Sequence, residues 1–146
     1  MTTGHATQPR ISSVAALTLA LSMLAANPAS AQRGADPTGL WLTESRASQV
    51  RVARCGGGYC GTLVSVSGSG VDANNPDPAL KSRKLVGVQI LTAGTPSGDG
   101  FQGSLYNPTD GKSYSGSMTP KGPDRLEVSG CVLRVICKSQ TWTRLK

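Results

Sequence analysis

After residue 31, the chain has no window in which apolar residues recur at helical spacing over three turns. It consists of short runs rich in β-forming residues, separated by clusters of Gly, Pro, Asn and Asp. Strand-like alternation is visible in Val86, Val88 and Ile90, and again in Leu126 and Val128. Eight short strands at close spacing predict a β-sandwich or a β-barrel. The predicted strands are Leu40–Glu44, Gln49–Cys55, Cys60–Val66, Leu85–Thr92, Gly100–Tyr106, Ser113–Thr119, Arg125–Ser129 and Gln140–Leu145.

The segments between these runs carry turn residues, most clearly at 96–100, 107–111 and 120–123. A single short helical turn is predicted where Asp77 can cap a segment that begins with Pro78. The pattern there is too short for more than one or two turns. The chain is therefore predicted to be all-β, with one short helical turn.

The first 31 residues have the pattern of a secretory signal peptide. Arg10 precedes the apolar run Val14–Ala26, and Ala29-Ser30-Ala31 follows as a small-residue cleavage site. The apolar run has 13 residues, fewer than the about 20 needed to span a bilayer, which argues against an uncleaved membrane anchor. We therefore expect cleavage after Ala31, a periplasmic location, no stable membrane span afterwards, and a single domain over residues 32–146.

Removal of the signal peptide changes what chemistry the chain can perform. It removes His5, the only histidine, and leaves 14 basic and 8 acidic side chains, a net charge of +6. Catalysis that depends on histidine and histidine-ligated metal sites are thereby excluded from the mature chain. The basic residues are scattered, with no run longer than Arg83-Lys84. They indicate a solvated, solubilising surface and no nucleic-acid partner.

Residues 51–66 contain a match to the nucleotide-binding pattern G-x-G-x-x-G, at Gly56, Gly58 and Gly61. A phosphate loop needs a strand before these glycines and a helix after them, because the N-terminus of the helix holds the phosphate. Here the following residues, Thr62–Val66, are another predicted strand. The stretch is therefore interpreted as a hairpin turn, without a nucleotide cofactor.

The four cysteines predict two local disulfides. Cys55 and Cys60 flank four residues, and a four-residue hairpin loop would place them opposite each other at a distance that suits a disulfide. Cys131 and Cys137 would lie about 20 Å apart on one straight strand, so a bond there requires the chain to turn. The crossed pairings stay open, since four cysteines allow three connectivities. A four-thiolate zinc site is disfavoured because its usual spacing is C-x2-C.

Several ordered motifs resemble a bacterial envelope family known as domain of unknown function 2147. They are the segments 39–41, 55–61, 71–87, 106–116 and 140–144, which together cover essentially the whole mature chain. The family label implies no activity.

A second resemblance concerns the fold. Lipocalin-like (calycin) barrels carry G-x-W on their first strand and a basic residue on their last strand, packed over the tryptophan. Gly39, Trp41 and Arg144 occupy these places. The resemblance implies a small eight-stranded antiparallel barrel, closed at one end by a guanidinium over an indole. This chain is shorter than a typical lipocalin, and its sequence leaves open whether the barrel encloses a roomy ligand cavity.

The segment from Asp72 to Asp77 offers several oxygen ligands and resembles half of a calcium loop. It lacks the glycine at the sixth position and the glutamate at the twelfth, where Arg83 stands. We expect its Asp and Asn side chains to bond their own backbone in turns and to cap the short helix. No metal site is predicted.

Candidate ligand-binding residues surround the 107–111 turn. Two tyrosines would lie near each other across a hairpin, where packing is favoured over a role in a pocket. A basic residue after the short helix could either clamp an anionic ligand or pair with an aspartate. The candidates are Arg83, Tyr106, Asp110, Lys112 and Tyr114.

No paired carboxylates and no nucleophile with a base can be assembled from these residues, so no catalytic residue is predicted. We expect a non-catalytic binding module without a cofactor, which binds a small or lipid-like molecule or an envelope protein. The alternatives are a structural or stress-related envelope protein with a filled barrel and, less favoured, a hydrolase that works without histidine.

Overall fold

A computed structural model describes residues 1–4 and 35–146, and the prediction of a signal peptide falls outside these residues. Eight strands form a closed barrel in which every strand is antiparallel to the next and β8 returns to pair with β1. A short 3-10 helix, Pro78–Leu80, lies between β3 and β4. The predicted all-β, lipocalin-like barrel is confirmed. The strands are β1 Gly39–Leu42, β2 Ser48–Cys55, β3 Gly58–Val66, β4 Gln89–Ser97, β5 Gly100–Asn107, β6 Lys112–Pro120, β7 Arg125–Val132 and β8 Ile136–Leu145.

The up-and-down order gives the barrel two different ends. At the end called here the closed end, the chain enters through residues 35–38 and the connections are short. At the end called here the open end lie the connections 43–47, 67–88, 108–111 and 133–135. The long 67–88 connection carries the 3-10 helix, whose cap is Asp77 as predicted: its side chain accepts a bond from the N–H of Ala79 at 2.9 Å.

The core fills the closed half of the barrel and extends along the wall of the open half. Alternate residues of each strand point inward, so that large side chains from neighbouring strands pack against one another. Two tryptophans and one tyrosine provide much of the buried volume, because burying an aromatic side chain removes a large apolar area from water. The buried hydrophobic residues are Trp41, Val50, Val52, Tyr59, Leu63, Ile90, Leu91, Ala93, Met118, Leu126, Val128 and Trp142.

The predicted bounds of β4 were wrong. The strand begins at Gln89 and not at Leu85, and it continues through Pro96 to Ser97. Gly87 has φ +94°, a left-handed conformation that ends any strand there and favours glycine. Val86, which the alternation placed in the strand, is 52% exposed. Residues 85–88 instead form a turn beside β3.

Both predicted disulfides, Cys55–Cys60 and Cys131–Cys137, are present. The geometry expected for the first was wrong in detail, because Cys55 lies opposite Gly58 in a tighter hairpin and bonds Cys60 diagonally over a Cα distance of 5.7 Å. The second requires the turn that the spacing demanded. Disulfides are typical of proteins in oxidising compartments.

The turn between Cys131 and Cys137 lengthens two strands beyond their predicted bounds. β7 extends to Val132, and β8 begins at Ile136 and not at Gln140. In residues 1–4 and 35–146, no helix has the length and apolar character needed to cross a membrane.

Candidate functional site

The open half of the barrel contains a cavity of about 600 Å³. The deep part of its apolar wall consists of Leu63, Ile90, Leu105, Val128 and Trp142. All but Leu105 are buried, and Leu105 packs against the same cluster. The sequence left open whether the barrel interior is filled, and the structure shows a cavity in its open half. The volume lies within the range of about 300–1,000 Å³ typical of small-molecule sites.

The sequence explains why only one half of the barrel is filled. Positions that line the cavity near the open end include Thr43, Ser48 and Gly130, which are small or polar. The corresponding positions toward the closed end are large, as with Trp41 and Met118. Since interiors are normally packed to the density of organic crystals, small residues on several strands at one level leave a real space.

The mouth of the cavity combines polar side chains with two aliphatic ones, Val132 and Ile136. Two of the predicted residues, Asp110 and Tyr114, are held together there. The hydroxyl of Tyr114 donates a short hydrogen bond to Asp110 Oδ2, and the N–H of Lys112 donates to Asp110 Oδ1 at 3.0 Å. Partial burial raises the pKa of Asp110, but these hydrogen bonds outweigh it, so the pKa lies below its ordinary value. The same bond raises the pKa of Tyr114. At neutral pH the pair is a carboxylate and a phenol.

Lys138 and Gln140, which were not predicted, also line the cavity. The register pairs Leu126 with Trp142, Val128 with Gln140 and Gly130 with Lys138. Because Leu126, Val128 and Trp142 are buried in the core, alternation places Lys138 and Gln140 on the same inner face of β8. Gln140 Oε1 accepts a bond from the indole N–H of Trp142 at 3.2 Å.

Lys138 brings a positive charge to the mouth. In the part of the chain that the structure describes, no carboxylate forms an ion pair with this lysine. It stands opposite Gly130, which has no side chain to cover it. The arrangement leaves an ammonium group beside an apolar cavity, where it can meet an anionic group of a bound molecule.

Two other predicted site residues, Arg83 and Lys112, do not line this cavity. The side chain of Arg83 is bound to Asp72, with Nη2 2.8 Å and Nε 2.9 Å from Asp72 Oδ2. Of the two roles considered for Arg83, the structure shows the ion pair with an aspartate.

Asp72 is the centre of a buried polar cluster beside the cavity, and the predicted residue Tyr106 belongs both to this cluster and to the cavity lining. Its carboxylate accepts hydrogen bonds from the hydroxyl of Tyr106 at 2.6 Å and from the amide of Asn75 at 2.8 Å. Burial raises the pKa of Asp72, but the bonds from Tyr106, Asn75 and Arg83 together hold it below its ordinary value. Burial, followed by the bond to Asp72, raises the pKa of Tyr106. With its oxygens taken by protein donors, Asp72 is a structural anchor.

This cluster attaches the 67–88 connection to the barrel. Asn74 Nδ2 also donates to the carbonyl of Thr109 at 2.9 Å. Gly111 lies so close that a Cβ there would be 1.8 Å from the carbonyl oxygen of Asn74, which explains a glycine at this place. Tyr106 and Tyr114 are not directly opposed: Tyr114 faces Leu105 in the register, and the two hydroxyls hold different carboxylates.

The metal interpretation of the segment from Asp72 to Asp77 gains no support. Asn75 Oδ1 accepts from the N–H of Asp77 and Asp77 caps the 3-10 helix, as expected for turn-forming side chains. In the part of the chain that is described, no group of three His, Cys, Asp or Glu residues could hold a metal ion.

The closed end has the geometry that the second resemblance implies. The guanidinium carbon of Arg144 lies 4.2 Å from the centre of the Trp41 ring, and the two residues are paired in the β1–β8 register. Gly39 has φ +140°, and a Cβ there would lie 2.3 Å from Arg144 Nη1. The glycine therefore makes room for the arginine that covers the tryptophan.

Comparison with known proteins agrees with this geometry. The sequence profile of a family described as "Uncharacterized protein conserved in bacteria (DUF2147)" matches residues 39–144. The chain belongs to this DUF2147 family. No curated protein matches it significantly.

Among solved structures, the DUF2147 chain is similar to one described as "Protein HP1028 from the human pathogen Helicobacter pylori belongs to the lipocalin family". The TM-score is 0.68 and the identity 24%, over 77% of this chain and 84% of the other. At this identity the likeness shows a shared fold and transfers no ligand.

Proposed function

We propose that this protein is an exported, non-catalytic binding module that holds a single-chain amphiphile with an anionic head, such as a long-chain carboxylic acid. The observation that carries the proposal is the cavity in the open half of the barrel, which is apolar in its depth and has polar and charged groups at its mouth. Such a gradient suits a molecule with an apolar tail and a polar head. A pocket with an apolar lining and a few placed polar groups is typical of ligand sites.

The apolar wall supports the position of the tail. Leu63, Ile90, Val128 and Trp142 would cover it on several sides, and each methylene removed from water contributes about 0.8 kcal/mol. Since the closed half is already filled by side chains, the tail enters from the open end only.

Lys138 supports the choice of an anionic head. An ammonium group at the mouth binds a carboxylate through a charge-assisted hydrogen bond, which is about twice as strong as a neutral one. Asp110, the one acidic residue among the described residues that line the cavity, is already bound by Tyr114 and Lys112. The lysine is therefore the charged group left to select a ligand.

The chemistry of the lining supports a non-catalytic role. The mature chain has no histidine, and a single carboxylate with a lowered pKa provides neither a general acid nor a carboxylate pair. Export to the periplasm is proposed from the signal sequence in residues 1–31. The two disulfides are compatible with that location.

The test uses cis-parinaric acid, a fluorescent long-chain carboxylic acid, titrated into the purified, disulfide-bonded protein. Lys138→Gln should weaken binding about tenfold, because it removes the charge-assisted bond. Lys112→Gln is the matched control, since Lys112 lies outside the cavity, and should bind like the wild type. Displacement by a fatty alcohol of equal chain length should be insensitive to Lys138→Gln.

Gly130→Phe provides an independent test of the location. A Cβ at Gly130 meets only ordinary contacts, at 3.4 Å from Leu105 Cδ2 and 3.5 Å from Tyr114 Cβ, so the aromatic ring would occupy the cavity. We expect folded protein without probe binding. If the wild type does not bind the probe, or if Gly130→Phe binds it unchanged, the proposal is wrong and a structural role or a protein partner is favoured.

A further inference from the structure

The turn between β7 and β8 exposes an apolar surface at the mouth of the cavity. We call residues 132–136 the hairpin tip. Leu133, Val135 and Ile136 are 84%, 76% and 70% exposed, and Val132 is 48% exposed. Four large aliphatic side chains are thus exposed within five consecutive residues, and two of them, Val132 and Ile136, also line the cavity. Clustered exposed apolar side chains usually mark an interaction site.

Strand pairing and a disulfide at its base fix the conformation of the hairpin tip. Val132 pairs with Ile136, and the Cys131–Cys137 disulfide joins the two strands at the next position. Leu133 and Arg134 have φ values of 52° and 60°, a left-handed conformation that is unfavourable for side chains other than glycine. The chain thus accepts local strain and presents aliphatic groups to solvent, a combination that points to function rather than packing.

The exposure is confined to one end of the molecule. Within residues 35–146, large exposed hydrophobic side chains occur only in the hairpin tip and at Leu80 and Val86 of the 67–88 connection. Both segments belong to the open end. None of these side chains lies at the closed end. A partner that binds them therefore contacts the open end of the barrel, where the mouth of the cavity lies.

Charge identifies the partner. Arg134 lies at the centre of the hairpin tip and Lys138 just behind it, and within the described residues neither forms an ion pair with a carboxylate. Exposed aliphatic groups mixed with basic ones are the composition that lies in the headgroup region of an anionic membrane. Pairing of two identical tips about a two-fold axis would bring Arg134 of each copy close to the other, which is unfavourable.

We infer that the hairpin tip docks on the surface of an anionic phospholipid bilayer, with Leu133 and Val135 among the headgroups and Arg134 beside their phosphates. The barrel does not span the bilayer in this arrangement. Its mouth faces the lipid surface, so that a single-chain lipid could move between bilayer and cavity with little exposure to water. The inference goes beyond ligand binding, and either proposal can fail without the other.

The experiment is flotation of the full disulfide-bonded protein with vesicles of phosphatidylethanolamine and phosphatidylglycerol, and with vesicles of phosphatidylcholine alone. The wild type should bind the anionic vesicles and be released by salt. Leu133→Ser combined with Val135→Ser should weaken binding about twentyfold, and Arg134→Gln about fivefold. Arg125→Gln, an exposed arginine at the closed end, is the matched control and should bind like the wild type.

Binding of cis-parinaric acid in solution separates this inference from the proposed function, since Leu133, Arg134 and Val135 do not line the cavity. The variants should keep that binding while they lose the vesicles. Docking is overturned if the wild type does not float with anionic vesicles, or if the serine variant floats as well as the wild type. It is also overturned if sedimentation shows a dimer that the serine variant abolishes, because the tip would then join two copies.

Discussion

Substitution of Arg144 by alanine should destabilise the barrel without affecting ligand binding. The guanidinium donates to three backbone carbonyl oxygens, those of Asp36, Thr38 and Pro123, with 2.9 Å to that of Asp36. These carbonyls belong to the entering segment and to the connection between β6 and β7. Arg144 therefore ties three parts of the closed end together while it covers the ring of Trp41.

The magnitude follows from the contacts. The cation–π contact contributes about 1 kcal/mol at a partly exposed site. A hydrogen bond from a charged donor contributes about 1.5–3 kcal/mol when buried, and the exposure of Arg144 reduces this to about 0.7 kcal/mol for each of three bonds, since water can replace the donor. The expected loss for Arg144→Ala is about 3 kcal/mol. Arg144→Lys keeps the charge but not the planar fork of donors, and should lose about half of that.

The assay is equilibrium unfolding in urea under non-reducing conditions, with tryptophan fluorescence as the signal because Trp41 lies under the substituted side chain. Arg125→Ala is the control. Arg125 is exposed at the same end and forms no ion pair within the described residues, so its loss should change the free energy of unfolding by less than about 0.5 kcal/mol. Affinity for cis-parinaric acid should be unchanged in both variants, because the cavity lies at the opposite end.

A midpoint of urea unfolding for Arg144→Ala equal to that of the wild type would refute the role of this arginine in stabilising the closed end. Equal losses for Arg144→Ala and Arg144→Lys would refute a smaller part of the reasoning, namely that part of the stabilisation comes from the charge over the indole.

Two further predictions concern the buried carboxylate of Asp72 and the Cys131–Cys137 disulfide. The pKa of Asp72 is lower in the folded chain than its ordinary value, so its contribution to stability is fully present above about pH 5 and is lost as pH falls through about 4 and below. Asp72→Asn should therefore cost about 3 kcal/mol at neutral pH, where it leaves Arg83 without its partner, and the difference from the wild type should shrink in urea titrations at lower pH. A difference that is constant with pH would contradict this. Replacement of Cys131 and Cys137 by serine should lower the free energy of unfolding by about 2 kcal/mol, measured by the same urea titration; no change would mean that the hairpin closes equally well without its crosslink.

Much of the architecture could be predicted from local sequence. Turn residues and short β-rich runs indicate eight strands, and the Gly39-x-Trp41 motif with Arg144 indicates how the barrel closes. The errors lie where the local pattern conflicts with the turn. Leu85–Val88 has the alternation of a strand, but the left-handed Gly87 interrupts it. The alternation reports only which residues are hydrophobic, whereas the backbone conformation at Gly87 depends on contacts with β3.

The candidate site could be predicted only in part, for a different reason. Tyr106, Asp110 and Tyr114 were found because they surround an evident turn. Lys138 was missed because residues 132–138 do not alternate, and a strand was therefore predicted only from Gln140. The Cys131–Cys137 pairing contained the missing signal: once it places a turn between the cysteines, β8 must begin near Ile136, and Lys138 then shares a face with Trp142.

Contacts between distant segments could not be derived from hydrophobic alternation or from turn residues. Asp72 and Tyr106 are 34 residues apart, and nothing in their own neighbourhoods requires them to meet. Yet both lie in stretches that carry the family resemblance, 71–87 and 106–116. Their hydrogen bond gives a physical reason why these stretches occur together: one holds the other against the barrel.

The separation of the two ends explains how a small barrel can keep an internal cavity. A cavity costs stability because the side chains around it lose packing contacts. In this chain the tryptophan, arginine and glycine of the closed end stabilise the fold without occupying the cavity. The cluster around Asp72 and the Cys131–Cys137 disulfide stabilise the connections around its mouth. The positions that line the mouth are therefore released from packing and can be small, polar or charged. This division predicts that Arg144→Ala lowers stability without weakening binding and that Lys138→Gln weakens binding without lowering stability, because Arg144 does not line the cavity. The double variant should show both losses at the size each has alone.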